Sequence, residues 1–182
     1  MKTGFHTSIV LLLTVLIAGC SSLGTDDELD LDNSFFERAL EMTMSTVSNS
    51  LVSIEQSQTG SYKFSEKTNE VINDPGSFAT LWDDLHANRI PLPELPEVDF
   101  TEYTVIASMM GIQNSGGHSI EILKVANADN VIGVKIEERE PGAGCVTTAV
   151  LTSPFHIVKI PKTSGSDIRF TTDRITFECN SR

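Results

Sequence analysis

The stretch Tyr103-Thr104-Val105-Ile106-Ala107-Ser108-Met109-Met110 decides the fold. It is almost continuously apolar, which is typical of a strand that is buried on both of its faces. We therefore expect a central strand at this point of the chain, with other elements arranged around it.

The rest of the second half predicts further strands. β-rich patterns cover residues 119–125, 131–137, 145–151, 155–160 and 174–179. Turn-forming residues separate them at 127–130, 141–144 and 163–166. Short strands at such regular spacing, with connections of hairpin length, indicate an antiparallel sheet.

The first half predicts a helix that covers a sheet. Asp74 is suited to the N-cap and Pro75 to the first helical position. The apolar residues that follow share one helical face: Phe78, Leu81, Trp82 and Leu85. A second helix is expected from Ser34 to about residue 46, because Ser34 and Glu37 have capping-box spacing.

Shorter patterns complete the first half. Residues 51–55 and 70–72 predict strands, and Tyr62 and Phe64 suggest a hairpin between them. Residues 90–96 contain three prolines and predict an extended connector. The expected fold class is α+β, mainly antiparallel β, arranged as a small sandwich or an open barrel with one or two short packing helices.

The N-terminus has the pattern of a bacterial lipoprotein signal. Lys2 precedes an apolar run at residues 9–17, and Ala18 and Gly19 stand directly before Cys20. The run is shorter than the roughly 20 residues that a membrane-spanning helix needs. We therefore expect a signal peptide at 1–19 and acylation of Cys20, which anchors the mature protein in a membrane. Ser21, in place of Asp, favours the outer membrane of the bacterial envelope, facing the periplasm.

Composition limits the rest of the chain. Residues 20–33 are polar and acidic and are interpreted as a tether, which leaves residues 34–182 as a single globular domain. With 13 basic and 25 acidic residues the formal charge is −12. This balance argues against nucleic-acid binding and against electrostatic docking on anionic lipid, so the acyl chains have to hold the protein at the membrane.

Two cysteines remain in the domain, Cys145 and Cys179. An even pair in an exported protein predicts a disulfide. A disulfide that closes a loop of this length would stabilise the folded protein by about 3–4 kcal/mol. The alternative is a nucleophilic Cys145 with His118 or His156 as its base.

No catalytic or metal-binding motif stands out. The histidines of the domain, His86, His118 and His156, lie in three distant segments without metal-ligand spacing. Nucleophile-elbow and phosphate-binding glycine motifs are also missing from the sequence. We therefore expect a protein that is not an enzyme and that needs neither a metal nor another cofactor.

One loop is a candidate for binding a partner. It consists of Asn114, Ser115, Gly116, Gly117 and His118. The two glycines permit positive φ and close approach of another backbone, while the polar side chains supply donors and acceptors. The alternative is a plain solvated turn.

Two blocks of the second half resemble the PrcB C-terminal domain family. The first is residues 105–107 with Gly111 and residues 116–122, where the family's usual Thr-Gly-Gly-Tyr is replaced by Ser115 to His118. The second is residues 151–161, which resembles the family's Thr-x-Pro-Tyr/Phe-His strand, with Phe155 at the aromatic position. With the lead-in around Trp82 the resemblance covers residues 71–177.

This resemblance implies a function. Members of the family resemble the lipoprotein subunit that associates with a secreted subtilisin-like protease and supports its stability. It therefore implies a cell-envelope binding protein and not a protease, and an envelope or secreted protease is a candidate partner. Thr152 and Ser153, in the second block, are further candidate contacts. Two alternatives stay open: a protease inhibitor that acts through Gly116 and Gly117, and a lipoprotein that binds a small ligand.

Overall fold

A computed structural model describes residues 51–128, 131–162 and 167–179 of the chain. The predicted signal peptide, tether and first helix lie outside these residues, and so does the predicted turn at 163–166. Across the described ranges, no helix is long and apolar enough to span a bilayer.

The described residues form seven strands and one helix. In chain order these are β1 (Val52–Ser57), β2 (Thr68–Ile72), α1 (Pro75–Leu85), β3 (Tyr103–Met109), β4 (Ser119–Ala128), β5 (Val131–Pro141), β6 (Phe155–Pro161) and β7 (Asp167–Phe177).

The strands make two sheets. The first sheet has the order β1-β6-β3-β2 and is antiparallel throughout. The second sheet has the order β4-β5-β7, with β4 antiparallel and β7 parallel to β5. Neither sheet closes, so the α+β, mainly antiparallel prediction is confirmed in its sandwich form.

The parallel β5–β7 pair departs from the expected antiparallel arrangement. Its cause is the position of β6, which follows β5 in the chain but lies in the first sheet. The chain therefore leaves the second sheet, runs along the first, and returns as β7 in the direction of β5. Hairpin-length spacing predicts antiparallel neighbours only when consecutive strands stay in one sheet.

The first sheet lies between α1 and the second sheet. The apolar face predicted for α1 packs on Val105, Ala107 and Met109 of β3. Ile106, between them in sequence, belongs to the opposite core cluster, with residues of β4, β5 and β6. Because successive side chains of a strand point to opposite faces, β3 serves both cores, as its apolar sequence predicted.

The helix begins and ends where its sequence signals lie. Asp74 is the N-cap, and its side chain accepts a hydrogen bond from the N–H of Ser77 at 2.9 Å. Hydrogen bonding with the Ser77 side chain, and then with its N–H, lowers the pKa of the Asp74 carboxyl. Pro75 occupies the first turn, and His86 is the C-cap.

Two strand predictions were wrong, and a third had the wrong bounds. Residues 145–151 are irregular and not a strand, and Tyr62 and Phe64 lie outside any hairpin. The last strand runs from Asp167 to Phe177, so it begins well before residue 174 and ends short of Cys179. β-branched residues favour a strand only where a neighbouring strand is placed to pair with them, and 145–151 has none along its length.

Candidate partner-binding site

Two connections cross between the sheets at the same end of the molecule. The β3–β4 connection meets the β5–β6 connection where Gln113 and Thr152 exchange backbone hydrogen bonds of 2.8 and 3.0 Å. We call residues 111–118 and 142–154 together the crossover site. It contains every residue that the sequence predicted for partner binding.

The two glycines serve the packing of their own loop. The N–H of Gly116 donates to the carbonyl of Thr148 at 3.0 Å, and a Cβ on Gly116 would collide with the Thr148 hydroxyl. Gly117 has φ of +92°, a left-handed conformation that favours glycine. Both glycines are therefore explained without a partner.

Thr152 and Ser153 lie beneath this loop. They are 5% and 2% exposed. The Thr152 hydroxyl donates to the carbonyl of Ser115 at 2.9 Å, and the Ser153 N–H donates to the carbonyl of Gln58 at 3.2 Å. The Thr152 hydroxyl thus supports the loop, while Ser153 is held to Gln58, just after β1. Contact of Thr152 and Ser153 with a partner stays a prediction, as it does for the loop residues above them.

Among the loop residues, Asn114 and Gly117 are exposed, while Ser115 and His118 are partly covered. Within the part of the chain that the structure describes, the Nδ1 atom of His118 is buried and has no hydrogen-bond partner. Asn114 and Gly117 therefore form the accessible tip.

The predicted disulfide is present. The sulfur atoms of Cys145 and Cys179 are 2.00 Å apart. The bond joins the crossover site to the residues after β7, and Gly142 adds a hydrogen bond from its N–H to the carbonyl of Phe177 at 2.8 Å. Because its sulfur is bonded to Cys179, Cys145 cannot act as a nucleophile in this state.

The disulfide holds an exposed, uncharged segment. Val146 is fully exposed, and about half of the Val150 and Leu151 side chains is exposed. Sequence reasoning missed these residues because the β-branched run was assigned to a strand. The absence of charge over seven residues beside a predicted disulfide was the signal that could have identified them.

His156, in the second family block, connects the two sheets. Its Nδ1 accepts the N–H of Ile122 at 2.8 Å, so its Nε2 carries the proton and donates to the Ser53 hydroxyl at 2.9 Å. Burial lowers the pKa of His156 to about 4. The ring is therefore neutral near pH 7 and holds β6 against β4.

His86 lies on the other side of the first sheet, fully buried at the end of α1. Its Nδ1 donates to the carbonyl of Trp82 at 2.8 Å, and its Nε2 is 3.0 Å from the Glu55 carboxylate. Arg89 also contacts Glu55, at 3.3 Å. The three histidines thus stay in separate surroundings, and across the described residues no group of His, Cys, Asp and Glu is arranged to hold a metal ion.

A small cleft of about 270 Å³ lies beside the start of β4. It is lined by four uncharged polar residues and one apolar residue: Gln56, Ser57, Gln58, Ser119 and Ile120. Because Ser119 follows His118 directly, this cleft adjoins the crossover site.

Comparison with known proteins gives one match. Residues 104–161 match the model of a family described as PrcB C-terminal. No curated protein and no solved structure matches the chain. The family match confirms the resemblance found in the sequence, and it spans β3 to β6 with both connections of the crossover site.

Proposed function

We propose a function from the match of residues 104–161 to the PrcB C-terminal family. The protein is a lipid-anchored envelope binding protein without catalytic activity, which associates with an envelope or secreted protease and stabilises it. The family match supports the association with a protease. The signal pattern ending at Cys20 supports anchoring in the outer membrane, with the domain facing the periplasm.

One observation carries this proposal. The family-matched segment contributes both connections of the crossover site, and these present the exposed Val146, Val150 and Leu151 on a segment tied down by a disulfide. Exposed apolar side chains on a constrained backbone suit protein binding, because little conformational entropy is lost when the partner docks.

The roles of the reactive side chains support a non-catalytic function. Cys145 forms a disulfide with Cys179, and the Thr152 hydroxyl donates a hydrogen bond to the carbonyl of Ser115 in the loop above it. His156 is neutral and enclosed between the sheets. Each of these groups is engaged in holding the domain together.

Stabilisation of the protease follows from mass action. A partner that is bound only when folded gains about 2.7 kcal/mol when the binding protein is present at a hundred times its Kd. Attachment of one component to the membrane beside its partner raises the effective concentration further. The domain therefore needs no chemistry of its own to prolong protease activity.

The test is crosslinking and pull-down from native envelope with the full anchored chain. Val146→Asp adds a charge to the exposed segment, and Asn114→Ala removes the polar side chain at the loop tip. Ile90→Asp is the matched control, because Ile90 is 98% exposed but lies on the proline-rich connector. We expect a protease to be recovered with the wild type and with Ile90→Asp, and recovery to fall about tenfold with Val146→Asp.

Equal recovery with all variants, or no protease above a lipid-only control, would contradict the proposal. The activity of the recovered protease distinguishes the inhibitor alternative, since an inhibitor lowers activity where a stabilising partner prolongs it. Asn114 is the position to change in that assay, because a side chain at Gly116 would disturb the loop itself.

The cleft beside β4 favours a second candidate, the binding of a small polar ligand. Amide and hydroxyl side chains there offer donors and acceptors without charge. A ligand screen by thermal unfolding tests this candidate: a rise in Tm that Ser119→Ala abolishes would support it, and a flat screen would count against it.

A further inference from the structure

Strand β7 presents a long, unpaired edge. It pairs with β5 at every position from Asp167 to Phe177, with no shift of register. Among the described residues no strand pairs with its other edge. An edge of this kind leaves a row of backbone N–H and C=O groups ready to pair with another strand.

The opposite edge of the same sheet, along β4, is protected by side chains. The carbonyl of Ile120 accepts the side-chain amide of Gln56 at 2.9 Å, and the N–H of Ile122 donates to His156. A register shift after Ile122 also interrupts β4. The described fold thus closes one edge of the second sheet to further strands and leaves the other open.

We propose that β7 pairs with β7 of a second copy of this chain, antiparallel and about a two-fold axis at Thr171. The two three-stranded sheets then join into one sheet of six strands. This proposal concerns a different surface from the crossover site and does not depend on the proposed function.

Among the registers centred on residues 170 to 173, the charges of β7 favour this one. When the two-fold axis is perpendicular to the sheet, residues that lie opposite each other are always on the same face of the sheet. Centring on Thr171 places Arg169 opposite Asp173 of the second copy, twice by symmetry. Centring on Phe170 or on Asp173 would place aspartates opposite each other, and centring on Thr172 would make no ion pair.

The inner face of β7 fits the same register. Ile168 and Phe170 are only partly buried and extend the core between the sheets. In the paired strands Phe170 lies diagonal to Phe170 of the second copy, within reach of an aromatic contact. Thr171 lies opposite Thr171 of the second copy. Pairing would therefore cover partly exposed apolar surface as well as join the backbones.

Complementary charge variants of the full chain test the proposal by analytical ultracentrifugation. Arg169→Asp and Asp173→Arg each replace two attractive contacts by two repulsive ones, so we expect each variant to dimerise roughly tenfold more weakly than the wild type. An equal mixture of the two variants restores attraction at both contacts and should form heterodimers. Arg139→Asp is the matched control, since Arg139 is exposed on the central strand β5 and away from the open edge.

Crosslinking gives an independent readout of the register. Thr171→Cys is expected to form an intermolecular disulfide on mild oxidation, because each residue 171 faces the other. Ile175→Cys lies on the same edge but opposite Asp167 of the second copy, and should crosslink far less. A monomeric wild type, or a dimer unaffected by either charge variant, would overturn the proposal, and equal crosslinking at 171 and 175 would overturn its register.

Discussion

The two faces of the first sheet each bury one histidine, and the two rings have opposite hydrogen-bonding surroundings. On the helix side both nitrogens of His86 face oxygen acceptors, the Trp82 carbonyl and the Glu55 carboxylate. On the side of the second sheet, His156 accepts from the backbone N–H of Ile122 and donates to the hydroxyl of Ser53. Both rings are almost fully buried.

The difference shows that two buried rings on one sheet can have unlike partners. The His86 ring meets two oxygen acceptors, whereas the Nδ1 atom of His156 accepts a backbone N–H, so a proton on that nitrogen would break the bond. Protonation of His156 should therefore weaken the contact between the two sheets.

The largest expected effect is that of acid on the His156 contact. The folded-state pKa is about 4 and the ordinary histidine value is 6.5, so the unfolded chain takes up the proton first. The contribution of His156 is complete above pH 6.5 and is lost as the pH falls towards 4, a decrease of about 3 kcal/mol in unfolding free energy. Urea unfolding across this range should show the slope, and His156→Gln should flatten it; an unchanged slope in that variant would assign the acid effect to other groups.

Replacement of His156 by Leu breaks the same contact without a change of pH. The N–H of Ile122 is buried and loses its partner, while the Ser53 hydroxyl can turn to water. We expect the unfolding free energy to fall by about 2 kcal/mol at about pH 8, where the wild-type ring is neutral. Urea unfolding measures the loss, and a change within error would show that the N–H finds another acceptor.

The matching replacement on the helix side, His86→Leu, should cost less. The Trp82 carbonyl still accepts the backbone N–H of residue 86, and Glu55 keeps Arg89. Because no buried group is left unpaired, we expect a loss of about 1 kcal/mol. A loss equal to that of His156→Leu would contradict the distinction between the two faces.

The smallest effect is expected for Arg89→Gln. Arg89 is partly exposed, and its contact with Glu55 at 3.3 Å is open to water. Exposed ion pairs contribute little, so the change should stay within about 0.5 kcal/mol. Thermal unfolding at low and high salt checks this, and a large loss in either condition would mean that Arg89, and not His86, holds Glu55 in place.

Much of the fold could be predicted from local signals. Asp74 and Pro75 mark the start of α1, and the i, i+3, i+4 spacing from Phe78 to Leu85 identifies its buried face. The apolar stretch at 103–110 correctly indicated a strand between two layers. These signals are local because capping and side-chain periodicity depend only on neighbouring residues.

The candidate site was predicted only in part. The pairing of Cys145 with Cys179 and the position of the Gly-Gly loop were foreseen, and the family blocks lie in the segment that matches. The irregular path of residues 145–151 was not predicted, because a β-branched run forms a strand only beside a partner strand. The covering of Thr152 by Ser115 also depends on the meeting of two connections that are distant in sequence.

The sequence by itself therefore determined the helix and its cap, the double-faced central strand, the disulfide and the resemblance of residues 104–161 to the PrcB C-terminal family. Only the tertiary structure decided that β7 returns parallel to β5, that the two sheet crossings meet, and which groups face each buried histidine. The physical reason is the distance along the chain over which each kind of interaction acts. Periodicity and caps act within a few residues, whereas the partners of His86, His156 and β7 are selected by packing between segments that the sequence separates.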